Sequence, residues 1–241
     1  MSVKRSQSAS RVLLVLEKIA EHQPIGVSAL AKLLDDDKSA VQRAIMTLAD
    51  DGWIRPASGM PTRWELTAHI HAVAQMGRGS DDLRQRVRGA LEALRNQTGE
   101  TILLTVPDVR RFVTIEVVES RQLLRTAPPI GMIVPVRESA TGRAILPYMS
   151  AERQIEMLGG PPDPALLRHF AATRANGYSI SDGDVAAGST NVAAPIIESD
   201  GRPVAAVVIS APTDRIGRTH HREFGELVAK TARELSRGVP A

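Results

Sequence analysis

The chain contains no cysteine in 241 residues, which excludes disulfides, thiolate metal ligands and a cysteine nucleophile. Aromatic residues are scarce at 3%, so any core has to be built from Leu, Ile, Val and Ala. No apolar run approaches the roughly 18–20 residues of a membrane span. Glu17 and Lys18 interrupt the stretch that would follow the basic N-terminus of a leader peptide. A cytoplasmic protein without a membrane partner is expected. Excess charge of one sign is missing too. The net charge is +3, and residues 1–77 carry nine Lys/Arg against eight Asp/Glu. A nucleic-acid partner would have to be met by local placement of charge, not by bulk. Enzyme motifs are also absent. Ser139, Ser179, His169, His220 and His221 are not gathered by a Gly-X-Ser-X-Gly elbow or an H-E-X-X-H spacing, and no phosphate-cradling G-X-X-X-X-G-K occurs. Neither enzymatic activity nor a cofactor or metal is expected.

What is present is the balance of a globular protein, 43% hydrophobic and 24% charged, with length for two small domains. Residues 38–52, Lys-Ser-Ala-Val-Gln-Arg-Ala-Ile-Met-Thr-Leu-Ala-Asp-Asp-Gly, organise the first of them. At 100° per residue Val41, Ala44, Ile45 and Leu48 form one stripe, leaving Ser39, Gln42, Arg43, Met46 and Thr47 off it. Arg matches the O6/N7 edge of guanine, Gln the N6/N7 edge of adenine, and Thr and Met can touch a thymine methyl. Before it, Ser28 is placed to cap a short helix to Leu34, and Asp35-Asp36-Asp37 makes a polar turn whose last Asp can cap the reading helix. Trp53–Arg55 and Arg63–Leu66 are β-like and are separated by turn formers from Pro56 to Pro61. Helix, turn, helix and hairpin make a winged helix-turn-helix. Its expected DNA contacts are Lys38, Ser39, Gln42, Arg43, Thr47 and Arg63, with Lys4, Arg5, Arg11 and Arg55 as nearby cations and the acidic turn as a repulsive element.

A first helix spans Ser10 to Glu21. Thr67 to Gly77 reads as the exit from the domain, and Gly77-Arg-Gly-Ser-Asp81 as a joint with Ser80 as N-cap. Residues 81–97 form a polar helix with a narrow seam of Leu83, Val87, Leu91 and Leu94, suited to pairing with another helix or to lying on a domain. Strand patterns follow at Thr101–Val106 and Phe112–Val118, with a third possible at Gln122–Thr126. Helices are expected at Thr141–Leu146, capped by Ser139, near Ala151–Leu158, and at Pro164–Asn176. Val192–Glu198 and Pro203–Ser210 make a hairpin, and Arg222–Ser236 a last helix with Phe224, Leu227, Val228, Thr231 and Leu235 inward. The fold class is α+β.

The chain resembles the IclR-type bacterial transcriptional regulators. The N-terminal resemblance lies in Ser10-Arg11 ahead of a Leu-rich helix, Ser39-X-X-X-Arg43 and Leu48-X-X-X-Gly52. The C-terminal one lies in Gly131, Pro135, Ala140-Thr-Gly-Arg-Ala144, Gly177-Tyr178, Gly188, Ala193-Ala-Pro-Ile196 and Asp200-Gly201. Trp64 stands where such proteins usually have Tyr and Thr67 where Gly usually follows, and the acidic turn at 35–37 is atypical. The resemblance implies a winged helix-turn-helix over 1–77, a linker and dimerisation helix over 78–98, and a GAF-like α/β effector domain over 99–241. It further implies operator DNA and a small organic acid as partners, and a homodimer or homotetramer. Carried over by motif, the effector contacts are Leu123, Thr126, Val134, Ala140, Thr141, Ser181, Asn191, Val208 and Ser210. The alternatives are a DNA-binding protein without ligand control and an enzyme housed in the C-terminal domain.

Overall fold

The computed structural model describes residues 6–59, 61–76, 80–217 and 219–237. The joint expected at 77–79 and the cations Lys4 and Arg5 lie outside them. The chain divides into two compact units, Met1–Arg78 and Gly79–Ala241.

The first unit is built on helices α1 (Gln7–His22), α2 (Val27–Leu34) and α3 (Lys38–Asp50). Ser6 caps α1, its hydroxyl accepting from the Ala9 N–H. The α2 cap is Gly26 and not Ser28, because Ile25 is bridged to Trp64 and the extended Gly26 turns the chain into the helix two residues early. Asp35 adopts the left-handed conformation at the end of α2, and Asp37 caps α3 by accepting from the Ala40 N–H at 2.9 Å. Asp36, between them, receives the Arg11 guanidinium at 2.6 and 3.4 Å. The acidic turn thus caps α3 and ties it to α1. Val15, Ile19, Leu30, Val41, Ile45, Leu48, Ile54 and Trp64 form the core. The wing is β1 (Ile54–Pro56) antiparallel to β2 (Trp64–Leu66), with Arg55 opposite Glu65. A further helix, α4 (His69–Met76), occupies what the sequence suggests is only an exit. Thr67 starts it, its hydroxyl donating to the Gly52 carbonyl and accepting from the His69 N–H.

The second unit is an antiparallel six-stranded sheet in the order β5-β4-β3-β8-β7-β6. The strands are β3 (Thr101–Asp108), β4 (Arg111–Val118), β5 (Ile133–Val134), β6 (Ser179–Asp182), β7 (Ser189–Ile197) and β8 (Pro203–Pro212). Residues 122–126 form no strand; they belong to a connection pinned from several sides. The Thr101 hydroxyl donates to the Thr126 carbonyl, the Thr126 hydroxyl to the Ser210 carbonyl, and Arg215 to the Leu124 carbonyl. Arg215 also forks onto both oxygens of buried Glu100, at 2.5 and 2.7 Å.

Both faces of the sheet are covered, so the central strands are apolar in both directions. On one face lie α5 (Ser80–Thr98) and α9 (His221–Arg237); on the other lie α6 (Ala140–Ile145), α7 (Ala151–Leu158) and α8 (Pro164–Asn176). Of the two readings of the α5 seam, the structure takes the one in which it lies on a domain. Leu83, Val87, Leu91 and Leu94 are buried against Ile102, Leu104, Ile209 and α9 of their own unit, at no more than 7% exposure. They leave nothing for a partner helix to cover. Buried Glu116 on β4 fixes α5 further, accepting from Arg84 at 2.9 Å and Arg88 at 2.7 Å. The described part of α5 begins at Ser80, and the capping role expected of Ser80 lies outside the described residues. On α9, Gly225, Val228, Ala229 and Ala232 are the buried positions, with Phe224, Leu227 and Leu235 packed at the margin. Small residues let that helix lie close to the sheet.

Candidate functional site

On α3 the buried positions are Ala40, Val41, Ala44, Ile45 and Leu48. That anchors one side and turns Lys38, Ser39, Gln42, Arg43, Met46 and Thr47 to solvent. Two of these polar groups have internal partners. The Ser39 hydroxyl donates to Asp37 at 2.5 Å, and the Thr47 hydroxyl donates back to the Arg43 carbonyl at 3.1 Å. Among the described residues Lys38, Gln42 and Arg43 make no side-chain hydrogen bond or ion pair, so their donors and acceptors are available to a partner. The Asp37 carboxyl is held below the usual carboxylate range, chiefly by the Ser39 hydroxyl and then by the Ala40 N–H. Asp36 is held down by Arg11. Both acids are therefore engaged within the unit, and the Arg11 cation on Asp36 offsets that carboxylate's repulsion of an approaching phosphate.

Lys38, Gln42 and Arg63 line one open groove with Gly26–Ala29 and Pro61–Thr62. The α2 start, whose cap has no side-chain oxygen, faces that groove with its first backbone N–H groups unmatched by any cap. In the wing, Arg55 pairs with Glu65 across the hairpin at 2.9 Å, leaving Arg63 as the cation that joins the groove. Arg43 and Thr47 sit on the same helix outside it.

In the second unit a small recess of about 40 Å³ lies between α6 and the sheet. Five of the effector positions carried over by motif line it: Val134, Ala140, Thr141, Asn191 and Val208. Leu103, Thr105, Met132, Ser139 and Val185 complete the lining. Leu103 and Thr105 follow from strand alternation on β3, and Ser139 from its cap; Val185 sits on a loop and carries no sequence signal. Four expected residues fall outside the lining. Leu123 is 98% exposed, and Thr126 is occupied with the Ser210 carbonyl. Ser181 and Ser210 flank Asn191 in register on β6 and β8, with Thr101 next, so a polar row Ser181–Asn191–Ser210–Thr101 crosses the sheet beside the recess.

The site's shape depends on α6. Ser139 caps it, accepting from the Gly142 N–H at 3.0 Å while donating to the Pro135 carbonyl. A methyl group on Gly142 would fall 1.8 Å from the Val136 carbonyl oxygen, so only glycine permits this approach. The Ser179 hydroxyl holds the Ala140 carbonyl from the sheet side. No charged side chain lines the recess. Part of the polar capacity in and beside it is unmatched: Asn191 and Thr141 in the lining make no side-chain hydrogen bond among the described residues, and the neighbouring Ser181 hydroxyl is buried without a partner.

A winged helix-turn-helix with a free reading face, carried on one chain with a separate α+β unit, is the make-up of a DNA-binding transcriptional regulator. The family model for the bacterial transcriptional regulator IclR C-terminal domain matches residues 78–237, and that for the MarR family matches 11–56. The chain belongs to the IclR family. The transcriptional repressor IclR of Escherichia coli is 31% identical over 244 residues, covering 95% of this chain and 89% of the relative. The acetate operon repressor of Salmonella typhimurium shows the same identity and coverage. Among solved structures, IclR of Thermotoga maritima superposes with a TM-score of 0.73 at 22% identity, covering 97% of this chain and 99% of the other. An IclR homologue from Microbacterium hydrocarbonoxydans, complexed with 4-hydroxybenzoate, gives 0.76 at 21% identity, covering 97% and 100%. No described helix is long and apolar enough to cross a membrane.

Proposed function

We infer that this regulator reads double-stranded operator DNA through α3 and the wing, and that a small organic acid held in the recess under α6 sets its operator affinity. Lys38, Gln42 and Arg63 meet the DNA at the groove, and Arg43 reads a base edge from the exposed face of α3. The observation that carries the ligand half is the recess itself: apolar walls and an uncharged lining, with the Asn191, Thr141 and Ser181 polar groups beside it unmatched. Such a lining suits a compact acid with an apolar body, recognised by hydrogen bonds and shape. The Microbacterium homologue holds an aromatic acid, 4-hydroxybenzoate, and a recess of about 40 Å³ has to widen to take a ligand of that size. Ligand must bind the high- and low-affinity states unequally, because equal affinity would shift nothing.

The regulator works as a homo-oligomer, and its contact is α1. Leu13 is 61% and Leu14 42% exposed there, on a groove that also takes in Arg11 and Glu17. An antiparallel pair of α1 helices centred on Leu14 brings Arg11 of each copy opposite Glu17 of the other, a self-complementary arrangement.

The test begins with selection of a binding sequence from a random duplex pool. A thermal-shift screen of carboxylic acids and a gel shift with and without the best stabiliser follow. A stabilising acid that changes operator affinity in wild type, and does neither in Asn191→Ala, is the expected result. Operator binding indifferent to every acid would leave a regulator without ligand control.

A further inference from the structure

We propose that Val185, on the loop between β6 and β7, sets the largest ligand the recess admits, and that the Arg143–Asp184 ion pair holds it in position. This rests on the recess being the effector site. Val185 is the one described lining residue contributed by that loop. It is 39% exposed, whereas Val134, Ala140, Thr141 and Val208 on the same recess are at 7% or less. Val185 therefore stands at the boundary between recess and solvent.

The loop is built to hold that one side chain in place. Gly183 and Gly188 at its two ends have φ of +77° and +78°, conformations that side-chain-bearing residues rarely adopt. Between them Asp184 accepts from Arg143 at 2.8 Å. The arginine is the fixed end of the pair: its side chain is only 13% exposed, it also donates to the Ile180 carbonyl, and its own carbonyl accepts from Thr173. Arg143 belongs to α6, one turn after Ala140 and Thr141, which line the recess. One short helix thus supplies part of the site and the anchor of the loop over its mouth. A ligand longer than the recess has to displace Val185, and displacing Val185 strains the ion pair.

The experiment uses the full chain and three probe acids of rising length: acetate, butyrate and hexanoate. Calorimetry on wild type, Val185→Ala and Asn191→Ala measures their affinities. In Val185→Ala the first acid too long for wild type should gain about tenfold, in line with one methylene accommodated in an apolar pocket, while the shortest changes little. Acetamide beside acetate separates a charge effect from a size effect. Without ligand, Asp184→Asn should speed hydrogen exchange about tenfold at Gly183 and Ser189, whose N–H groups bond to the Ser189 and Ala186 carbonyls. If Val185→Ala keeps every affinity within twofold while Asn191→Ala weakens them, the recess binds ligand but Val185 does not limit it. If no probe binds, or none responds to either variant, the effector site itself lies elsewhere and this inference falls with it. Unchanged exchange in Asp184→Asn removes the ion pair's role whatever the ligand.

Discussion

At the residue scale, one glycine and two acids carry more than their chemistry suggests. Replacing glycine by alanine inside a helix ordinarily stabilises a protein, yet Gly225 on α9 lies against Tyr178, and a methyl there would come within 2.3 Å of the ring. Gly225→Ala should therefore lower stability by about 1–3 kcal/mol through overpacking, and Tyr178→Leu in the same chain should recover part of it; chemical denaturation of the single and double variants measures both. The acids Asp36 and Asp37 have carboxyls depressed below the ordinary range, first by the Arg11 side chain and the Ser39 hydroxyl respectively. A depressed carboxyl stabilises the fold above its unfolded-state value and loses that contribution as the pH falls through its folded value. The DNA-binding unit should thus weaken from about pH 4 downwards. Asp36→Asn should flatten that dependence in circular-dichroism melts between pH 3 and 6; an unaltered acid limb would show that other carboxyls dominate it.

At the scale of elements, the reading helix was legible because period and caps agreed: Val41, Ala44, Ile45 and Leu48 point inward and Asp37 starts the helix. Pro164–Asn176 was legible to the residue, between the Asp163 cap and the left-handed Gly177. What was not legible had no local signature. The four-residue β6 is a strand only because β7 pairs with it, and α4 begins where Thr67 bonds back to Gly52. Leu83, Val87, Leu91 and Leu94 have a spacing that fits a partner helix or a sheet equally well, and the sheet takes it. Leu91→Ala should accordingly cost about 2–5 kcal/mol of the second unit's stability, measured by denaturant unfolding. An alanine that altered oligomer mass alone, with stability unchanged, would restore the pairing role to α5. For the recess, the motif resemblance pointed to Val208 and Asn191 but not to Leu103, and only a folded chain could separate Asn191 from its neighbours in the polar row.

At the scale of the whole molecule, Arg43→Ala should reduce specific operator affinity by about 1–3 kcal/mol at fixed salt. The fold should be unaffected, since Arg43 is exposed and makes no bond within the unit. Equal affinity in a gel shift would move the reading role to Gln42 or to the wing. Leu13→Glu together with Leu14→Glu should shift the sedimentation coefficient towards the monomer and leave both units folded; an unchanged assembly would place the contact off α1. One further property follows from where the scarce aromatics lie. Both tryptophans belong to the first unit, Trp64 in its core and Trp53 edge-on to His69 with ring centroids 4.5 Å apart. No tryptophan lines the recess. A tryptophan signal that responds to an added acid would therefore report on the first unit, the one that carries the reading helix.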